Sequence, residues 1–508
     1  MESTFPQRPL NICMVASEVV PLAKTGGLAD VVGALAVEFA SLGHDVAVVL
    51  PAYRQVDMHG YETVDVCSLS IPAGDQSLDV RIQQILVPAL QVSGLGRLRI
   101  FVVRYDPFFS RPGLYQEDGR DYPDNLERFV LFCRSVMELL LHLYDKEQWH
   151  TDLLHLHDWQ AALCAVYLRT LYHMRPVLSR TRSVLTIHNL GYQGLFPPEQ
   201  FAVTGLPSHL FSPAALEFYG RVNVLKGGLV FADRLTTVSP TYSREIQTAE
   251  YGCGLEGVIT ERKAVLSGIV NGIDATLWNP RTDRYLPAPY TFSDLSGKVR
   301  CKQMLQRELG LRQLKGPLLA VVARLTSQKG IDLVIDILPE LMGLNAQVVI
   351  LGTGDPLYEA QVRELGERYS GRIAVRNVFD EGLAHRIEAG ADMFLMPSRY
   401  EPCGLSQLYS LRYGTVPIVR KTGGLADTVV GYTPSALREL RATGFTFTDT
   451  NSASLLTAVL LALSVYRKKA DWQRLIKAGM EQDLSWTRSA STYIQLFEEL
   501  VAGESQRA

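Results

Sequence analysis

Short apolar runs rich in β-branched residues alternate with longer amphipathic stretches along the first 270 residues. The opening cycle predicts a strand at Leu10 to Ser17, a helix at Leu28 to Leu42 and a strand at Asp45 to Leu50. This rhythm of strand, helix and strand is typical of a parallel α/β sheet. The same pattern predicts helices at 125–143 and 159–172 and further strands at 98–103, 153–156, 183–187, 234–238 and 265–269.

The pattern stops between Asn279 and Lys298, where prolines and polar residues would interrupt any strand or helix. It then restarts, with predicted strands at 318–323, 347–351, 373–378, 391–397 and 415–419, and predicted helices at 331–342, 356–369 and 486–501. We therefore predict two doubly wound, Rossmann-like domains. Their expected bounds are an N-terminal domain at 1–275, a linker at 276–300, a C-terminal domain at 301–485 and a C-terminal helix within 486–508.

Composition agrees with two domains, because 508 residues of which 47% are hydrophobic can bury more apolar area than one core usually organises. The formal net charge is only −3 and no basic tail stands out, which argues against non-specific binding of nucleic acid or of anionic membranes. Apolar runs are far shorter than the roughly 20 residues that a membrane-spanning helix needs. We expect no partner of either kind.

Two features favour a cytoplasmic location. The first nine residues are polar, carry Pro6 and Pro9, and lack the pattern of a signal peptide. The seven cysteines are scattered singly with no C-x-x-C pair, which fits a reducing compartment better than a disulfide framework or a zinc knuckle.

The strongest internal signal is a repeat of seven residues, Lys-Thr-Gly-Gly-Leu-Ala-Asp, at 24–30 and again at 421–427. A duplication kept for packing is one interpretation, since paired glycines suit a tight turn from strand to helix. The functional interpretation places both copies at the carboxyl ends of strands, where open α/β sheets bind ligands and where glycine amides can face an anion. Two such sheets facing each other would form a deep cleft.

Two cations follow the predicted strand at 318–323. Arg324 and Lys329 stand beside the start of the next helix, a position suited to a diphosphate group. The alternative is a solvated basic surface loop, since Arg and Lys are common there.

Glu401 follows the predicted strand at 391–397 and would point a carboxylate into the cleft. The competing interpretation is a structural acid paired with Arg399. Cys403 could suggest a thiol nucleophile, but the sequence identifies no base to activate it.

Histidines end two predicted strands, at His155 and His157 and again at His188. Alternation puts His155 and His157 on one strand face, as zinc or iron ligands would be, but no third ligand is evident. Hydrogen bonding to a sugar or to a loop is the favoured alternative.

Two glycine motifs are weaker. Residues 252–257 match G-x-G-x-x-G without the preceding strand that gives a dinucleotide fingerprint its meaning, so we interpret them as a loop. The segment Gly352 to Asp355 is better placed, because it follows a predicted strand. Its Gly354 would line a nucleotide pocket.

These residues together closely resemble bacterial glycogen synthases and plant starch synthases over nearly the whole chain, from about Leu10 to Leu500. Besides the two Lys-Thr-Gly-Gly copies, the landmarks are His-Asp-Trp at 157–159, His-Asn-Leu-Gly-Tyr-Gln-Gly at 188–194, Val-Ser-Pro-Thr-Tyr at 238–242, Asn-Gly-Ile-Asp at 271–274, Arg-Leu-Thr-Ser-Gln-Lys-Gly at 324–330 and Pro-Ser-Arg-Tyr-Glu-Pro-Cys-Gly-Leu at 397–405.

The resemblance implies a GT-B glycosyltransferase that moves glucose from ADP-glucose to the non-reducing end of an α-1,4-glucan such as glycogen, with retention. It implies no metal and no other cofactor, which agrees with cations and amides neutralising the leaving diphosphate. It also implies that the C-terminal helix crosses back to the N-terminal domain.

The resemblance also implies residue roles. Arg324 and Lys329 match the diphosphate-binding pair, Glu401 the essential carboxylate, and Lys24 the characteristic lysine of the first loop. His188 would hold the donor sugar. The remaining substrate-binding positions implied are Gly26, Gly27, Asp30, Asp124, Asn271, Gly354, Phe379, Cys403, Gly404, Leu405, Thr422, Gly423 and Gly424.

The chain departs from the family pattern at two positions. Ala36 stands where proline is common, which touches helix geometry more than chemistry. Phe379 stands where a tyrosine often stacks on adenine, so stacking is retained and a hydroxyl contact is lost.

Two rival functions remain open. One is another GT-B reaction, such as that of a sucrose synthase or of a glucan phosphorylase. Of these two enzymes, the phosphorylase would require pyridoxal phosphate. The other is a catalytically idle glucan-binding protein.

Overall fold

The computed structural model describes residues 8–58, 60–73, 76–87, 92 and 96–503. These residues form two compact units. The N-terminal unit comprises the described residues of Met1–Val238, Ser243–Ile269 and Ser489–Ala508, and the C-terminal unit comprises Ser239–Tyr242 and Val270–Arg488.

A nine-stranded sheet is the centre of the N-terminal unit. Its strands are β1 (Asn11–Val15), β2 (Asp45–Pro51), β3 (Thr63–Ala73), β4 (Gln76–Ile85), β5 (Arg97–Arg104), β6 (Leu153–His157), β7 (Arg182–Ile187), β8 (Arg234–Thr237) and β9 (Leu266–Gly268). They lie in the order β9-β8-β7-β6-β1-β2-β5-β4-β3. Pairing is parallel from β9 to β5, whereas β4 pairs antiparallel with both β5 and β3.

The pattern of apolar runs missed the hairpin of β3 and β4. Its strands carry polar residues along most of their length, and buried residues such as Val80 and Ile82 stand singly between polar neighbours, so no buried apolar run marks them. The predicted parallel strands, in contrast, are buried along nearly their whole length, as β1, β2 and β6 show.

Helices and short strands complete this part of the chain. The α-helices are Gly27–Ser41, Arg54–Met58, Asp106–Phe109, Asn125–Glu147, Asp158–Arg169, Val224–Phe231, Pro240–Glu245, Glu256–Glu261 and, at the end of the chain, Trp486–Ala502. Short strands pair at Gln116–Glu117 with Arg120–Asp121, and Arg221–Asn223 pairs with both Leu195–Phe196 and Glu217–Phe218.

The C-terminal unit contains a six-stranded, fully parallel sheet. Its strands are β10 (Leu318–Val322), β11 (Gln347–Leu351), β12 (Ile373–Arg376), β13 (Met393–Met396), β14 (Val416–Arg420) and β15 (Phe445–Phe447), in the order β12-β11-β10-β13-β14-β15. The helices are Ser296–Glu308, Ile331–Gly343, Pro356–Arg368, Glu381–Gly390, Ser406–Tyr413, Gly423–Thr428, Pro434–Arg438, Ser452–Tyr466 and Lys469–Met480.

The proline-rich segment at 279–298 packs into the C-terminal unit. Ala288 and Tyr290 are buried in its hydrophobic core, and the Tyr290 hydroxyl donates to the Tyr413 carbonyl at 2.8 Å. The helix Ser296–Glu308 begins before the segment ends. Prolines therefore mark an irregular but packed segment here, because side-chain burial does not require regular backbone.

Both sheets predicted from the sequence are present, and the structure is a two-unit α/β protein with parallel sheets. Among the described residues, no helix combines the length and the apolar character needed to cross a membrane.

The C-terminal helix packs on the N-terminal unit through aromatic rings. Tyr493 and Phe497 are fully buried, and their ring centroids lie 6.2 and 5.5 Å from that of Phe39. The Phe497 ring also lies 5.3 Å from that of His155 on β6. The last helix thereby covers the side of the sheet that carries the buried histidines.

We expect Phe497→Ala to lower the free energy of unfolding of the N-terminal unit by about 3–5 kcal/mol, because it leaves a cavity among packed rings. The exposed Gln495 on the same helix provides the control, and Gln495→Ala should change stability by no more than about 0.5 kcal/mol. Calorimetric unfolding measures both. Equal transition temperatures for the two variants would contradict this packing role.

Candidate active site residues in each unit

The first glycine loop is held by an internal carboxylate. Glu18 is buried directly after β1, and it accepts hydrogen bonds from the Thr25 N–H at 2.5 Å, the Thr25 hydroxyl at 2.7 Å and the Gly26 N–H at 3.2 Å. The Tyr115 hydroxyl donates to the same carboxylate at 2.8 Å. An acidic side chain of the protein itself therefore occupies the anion position formed by these two amides.

Other residues of this loop remain accessible. Lys24 is exposed and its Nζ donates to Asp30 Oδ1 at 2.7 Å. Gly27 is exposed and begins the helix Gly27–Ser41. The predicted residues Lys24 and Asp30 thus form one ion pair at the amino end of a helix.

The histidines form a buried chain of contacts. His157 Nδ1 and His188 Nε2 lie 3.0 Å apart, and His155 Nε2 lies 2.8 Å from the Thr186 hydroxyl. Burial lowers the pKa of His155 and His188 to about 3 and that of His157 well below its usual value. These rings are therefore neutral at pH 7, because the low-dielectric interior disfavours the imidazolium.

His188 is positioned by Asp158, which begins the helix Asp158–Arg169. The His188 N–H donates to Asp158 Oδ1 at 2.7 Å. Burial raises the pKa of Asp158 to about 7, although this N–H lowers it in part. The strand ends β6 and β7 are thereby tied together through one carboxylate, which fixes the loop that follows His188.

Asp124 is engaged by a cation. Arg111 makes a bidentate contact with its carboxylate at 2.7 and 2.6 Å. Burial alone would raise the pKa of Asp124, but the Arg111 hydrogen bonds and charge hold it below the ordinary value. Asp124 therefore stays ionised just before the helix Asn125–Glu147.

In the C-terminal unit, Lys329 and Glu401 form an ion pair. Lys329 Nζ lies 2.6 Å from Glu401 Oε2, and the Ser398 hydroxyl donates to the same oxygen at 3.0 Å. Glu401 is only 5% exposed. A carboxylate this buried needs such partners, since an unpaired charge in this place would cost several kcal/mol.

The alternative pairing of Glu401 with Arg399 is wrong. Arg399 instead contacts Asp332 in a bidentate ion pair, at 2.8 and 2.6 Å. Arg324 is exposed, and the described residues provide no hydrogen bond or ion pair for its guanidinium. The strand ends β10 and β13 thus bring Lys329 and Glu401 together and leave Arg324 at the surface.

The second glycine pair allows a close backbone approach. A Cβ atom at Gly423 would lie 1.9 Å from the Glu401 carbonyl oxygen, and one at Gly424 would lie 2.2 Å from the Cys403 carbonyl oxygen. The Gly424 N–H donates to the Glu401 and Pro402 carbonyls. The packing interpretation therefore explains these two glycines, because any larger residue would displace the segment that carries Glu401. Thr422, just before them, is fully buried.

Cys403 is a buried thiol rather than an activated one. Burial raises its pKa to about 12, with Asn271 contacts opposing the shift only in part. A nucleophilic role requires the thiolate, so the structure contradicts that interpretation. Gly404 adopts a φ of +74°, and Leu405 precedes the helix Ser406–Tyr413.

The loop at 352–355 braces the loop that carries the cations. The Leu325 N–H donates to the Thr353 carbonyl at 2.9 Å, and the Asp355 N–H donates to the Leu325 carbonyl at 2.8 Å. A Cβ atom at Gly354 would lie 2.3 Å from that same Leu325 oxygen. Phe379, after β12, is 86% exposed.

Two weaker interpretations of the sequence can be judged directly. Residues 252–255 form a turn, 256 and 257 begin the short helix Glu256–Glu261, and the segment follows no strand, as expected for a motif that is not a dinucleotide fingerprint. Among the described residues, no group of three or more His, Cys, Asp or Glu side chains has the arrangement of a metal site.

Sequence reasoning missed four residues that hold the site. Glu18 contacts the first glycine loop, and Ser398 contacts Glu401. Asp158 anchors His188. Asp427 accepts hydrogen bonds from the Thr241 N–H at 3.0 Å and from the Thr241 hydroxyl at 2.6 Å. Glu18 and Asp158 could have been found by the signal that identified Glu401, an acid shortly after a buried strand. The other two need tertiary contacts.

Comparison with known proteins identifies relatives over nearly the whole chain. The family described as starch synthase catalytic domain matches residues 11–261, and that described as glycosyl transferases group 1 matches residues 305–479. The chain is 46% identical to a glycogen synthase of Koribacter versatilis over 96% of this chain and 98% of that protein. It is 47% identical to a glycogen synthase of Anaeromyxobacter dehalogenans over 97% of this chain and all of that protein.

Solved structures agree. The catalytic domain of starch synthase IV from Arabidopsis thaliana, bound to ADP and acarbose, matches with a TM-score of 0.87 and 32% identity over 97% of this chain and all of that one. A sucrose-phosphate synthase from Thermosynechococcus elongatus shares the fold, with a TM-score of 0.60 at 17% identity. The chain belongs to the family of glycogen and starch synthases, and it is a glycosyltransferase with the GT-B fold.

Proposed function

We propose that this enzyme transfers glucose from ADP-glucose to the non-reducing end of an α-1,4-glucan with retention of configuration. The observation that carries the proposal is the ion pair between Lys329 and Glu401, with the exposed Arg324 on the same loop as Lys329. The similarity to a starch synthase bound to ADP and acarbose supports a nucleotide-sugar donor and a glucan acceptor.

The ion pair offers a way to couple donor binding to catalysis. Without donor, Lys329 neutralises the buried Glu401 carboxylate. When a donor diphosphate accepts hydrogen bonds from Arg324 and Lys329, the lysine shares its charge with the phosphate. Glu401 then faces the sugar with more of its negative charge uncompensated, which stabilises positive charge that develops at the anomeric carbon.

The proposed transfer forms no covalent intermediate between glucose and the enzyme. The acceptor O4 forms a bond to C1 of glucose on the face from which the bond to the β-phosphate oxygen breaks. That phosphate takes the acceptor proton, and ADP leaves. Arg324 and Lys329 neutralise the charge of the leaving group, so we propose that no metal ion is required.

Each unit supplies positioning groups in this proposal. His188 is neutral and held by His157 and Asp158, so it suits a hydrogen bond to the donor sugar rather than proton transfer. The ion pair of Lys24 and Asp30 is assigned to the substrates, and Asp124 and Asn271 to the glucose units. The exposed Phe379 is assigned to the adenine, on which it would stack.

The seven cysteines are all free thiols, which supports a reducing, cytoplasmic location for the enzyme.

We expect ADP-glucose to support incorporation of glucose into glycogen at an initial rate that EDTA does not change. UDP-glucose should be the poorer donor, measured side by side under the same conditions. A preference for UDP-glucose would contradict the assignment of Phe379 to the adenine. Loss of activity with EDTA would contradict neutralisation of the leaving diphosphate by Arg324 and Lys329 alone.

We expect Glu401→Gln to lower kcat by about 10² or more, because the amide keeps the shape but removes the charge that stabilises the transition state. Glu439→Gln is the matched control, since Glu439 pairs with Arg441 at the exposed surface of the same unit. Steady-state transfer at saturating donor and glycogen measures kcat for both variants. Near-normal turnover of Glu401→Gln would remove this carboxylate from the mechanism.

We expect Arg324→Ala to raise the KM for ADP-glucose at least about tenfold, because the substitution removes one charge-assisted hydrogen bond to the donor. The KM for glycogen should not change. Arg441→Ala removes an exposed arginine elsewhere in the unit and should leave both values as they are. Equal effects of the two substitutions on the donor KM would show that Arg324 makes no specific contact.

A further inference from the structure

Tyr219 is the most exposed aromatic residue of a rigid hairpin in the N-terminal unit. Glu217–Phe218 pairs antiparallel with Arg221–Asn223, and Tyr219 and Gly220 form the two-residue turn between them. The tyrosine is 83% exposed. A large aromatic side chain in this position buries little area, so the fold itself does not account for it.

The backbone at Tyr219 is also unfavourable for a tyrosine. Its φ is +49° and that of Gly220 is +77°, as in a type I′ hairpin turn. Asn-Gly is the preferred pair for this turn, because asparagine tolerates the left-handed region and a bulky residue does not. Strained residues of this kind cluster at functional sites.

The hairpin is held in one conformation. Glu217 Oε1 accepts from the Gly220 N–H at 2.6 Å, and the buried Lys226 donates to the Glu217 carbonyl at 2.5 Å. The Phe218 ring meets the Tyr219 ring edge to face, with centroids 4.7 Å apart. The backbone that carries the tyrosine is therefore held in place and its ring lies against that of Phe218, which lowers the entropy cost of binding to it.

Gln193 lies on the loop 188–196 and joins it both to this hairpin and to the loop 251–256. The buried Gln193 side chain accepts from Asn223 Nδ2 at 2.7 Å and donates to the Cys253 carbonyl at 3.1 Å. On the loop 251–256, a Cβ atom at Gly254 would lie 2.9 Å from the tip of the Phe218 ring. We call the three segments 188–196, 217–225 and 251–256 the tyrosine platform.

The platform is continuous with the proposed donor-sugar residue. His188 begins its first segment, and Gly194 in that segment lies on the ring of Trp159, where a Cβ atom would be 2.5 Å away. Tyr192 of the same segment is 54% exposed. The platform therefore carries two exposed tyrosines and begins at His188, the residue assigned to the donor sugar.

We propose that the tyrosine platform is an accessory binding site for the α-glucan acceptor, with Tyr219 stacking on a glucose ring. Sugar rings place weakly positive C–H groups against the negative face of an aromatic ring. The inference rests on the proposed function for the identity of the polymer. Adenine is the other planar ligand available, but the C-terminal unit already offers Phe379 for it.

The test is glycogen affinity without donor, measured by retardation of the full-length protein in native gels that contain glycogen. We expect Tyr219→Asn to weaken binding by about two- to tenfold, the range expected for one aromatic contact. Because asparagine suits the turn, this variant should unfold at no lower temperature than the unaltered protein. Tyr219→Phe should bind as tightly as the unaltered protein, since the ring is retained.

Met174→Ala is the matched control, because Met174 is another highly exposed apolar residue of the same unit outside the platform. Glycogen binding by Tyr219→Asn equal to that of the unaltered protein, or an equal loss in Met174→Ala, would overturn the inference.

Kinetics separate this inference from the proposed function. In the unaltered enzyme, absence of transfer from ADP-glucose would contradict the proposed function, while the gels would still test the platform. Where transfer occurs, Tyr219→Asn should raise the KM for glycogen by the same two- to tenfold and leave both kcat and the KM for ADP-glucose unchanged. A lowered kcat with an unchanged KM for glycogen would overturn the accessory site.

Discussion

Parallel pairing of strands is the constraint on which the rest of this structure depends. A parallel sheet covered by helices buries its strands on both faces, so their middles must be apolar. Side chains that meet a ligand are then carried mainly by the loops at the ends of strands. Glu18 follows β1, His188 follows β7, Lys329 follows β10 and Glu401 follows β13. The candidate site residues lie in these loops, at the strand ends where open α/β sheets bind ligands.

The repeated Lys-Thr-Gly-Gly-Leu-Ala-Asp shows how context decides the role of an identical sequence. In the first copy, the Gly26 N–H donates to the Glu18 side chain and a helix of 15 residues begins at Gly27. In the second copy, the Gly424 N–H donates to backbone carbonyls and the helix has only six residues. In the first copy the Thr25 and Gly26 amides donate to a side chain of the protein, and in the second copy the glycines admit a neighbouring backbone.

Charge in each unit is balanced before any substrate binds. Lys329 offsets the Glu401 carboxylate, Arg111 offsets Asp124, and Lys24 pairs with Asp30. The histidine chain stays neutral because burial disfavours its protonation. The exposed Arg324 is the exception among the site cations, and it is the group most ready to meet an anionic donor.

The sequence by itself determined the two parallel sheets, the loops that carry chemistry and the family, because buried strands need apolar runs and the motifs are long and ordered. It could not reveal the polar hairpin β3 and β4, whose strands lack such runs, or the packed state of the segment at 279–298. It also left the partner of Glu401 open between Arg399 and other groups. Only the tertiary structure decided that Lys329 holds Glu401, that Glu18 fills the first glycine loop and that Tyr219 is exposed. Each of these depends on contacts between residues far apart in the chain, which local patterns do not encode.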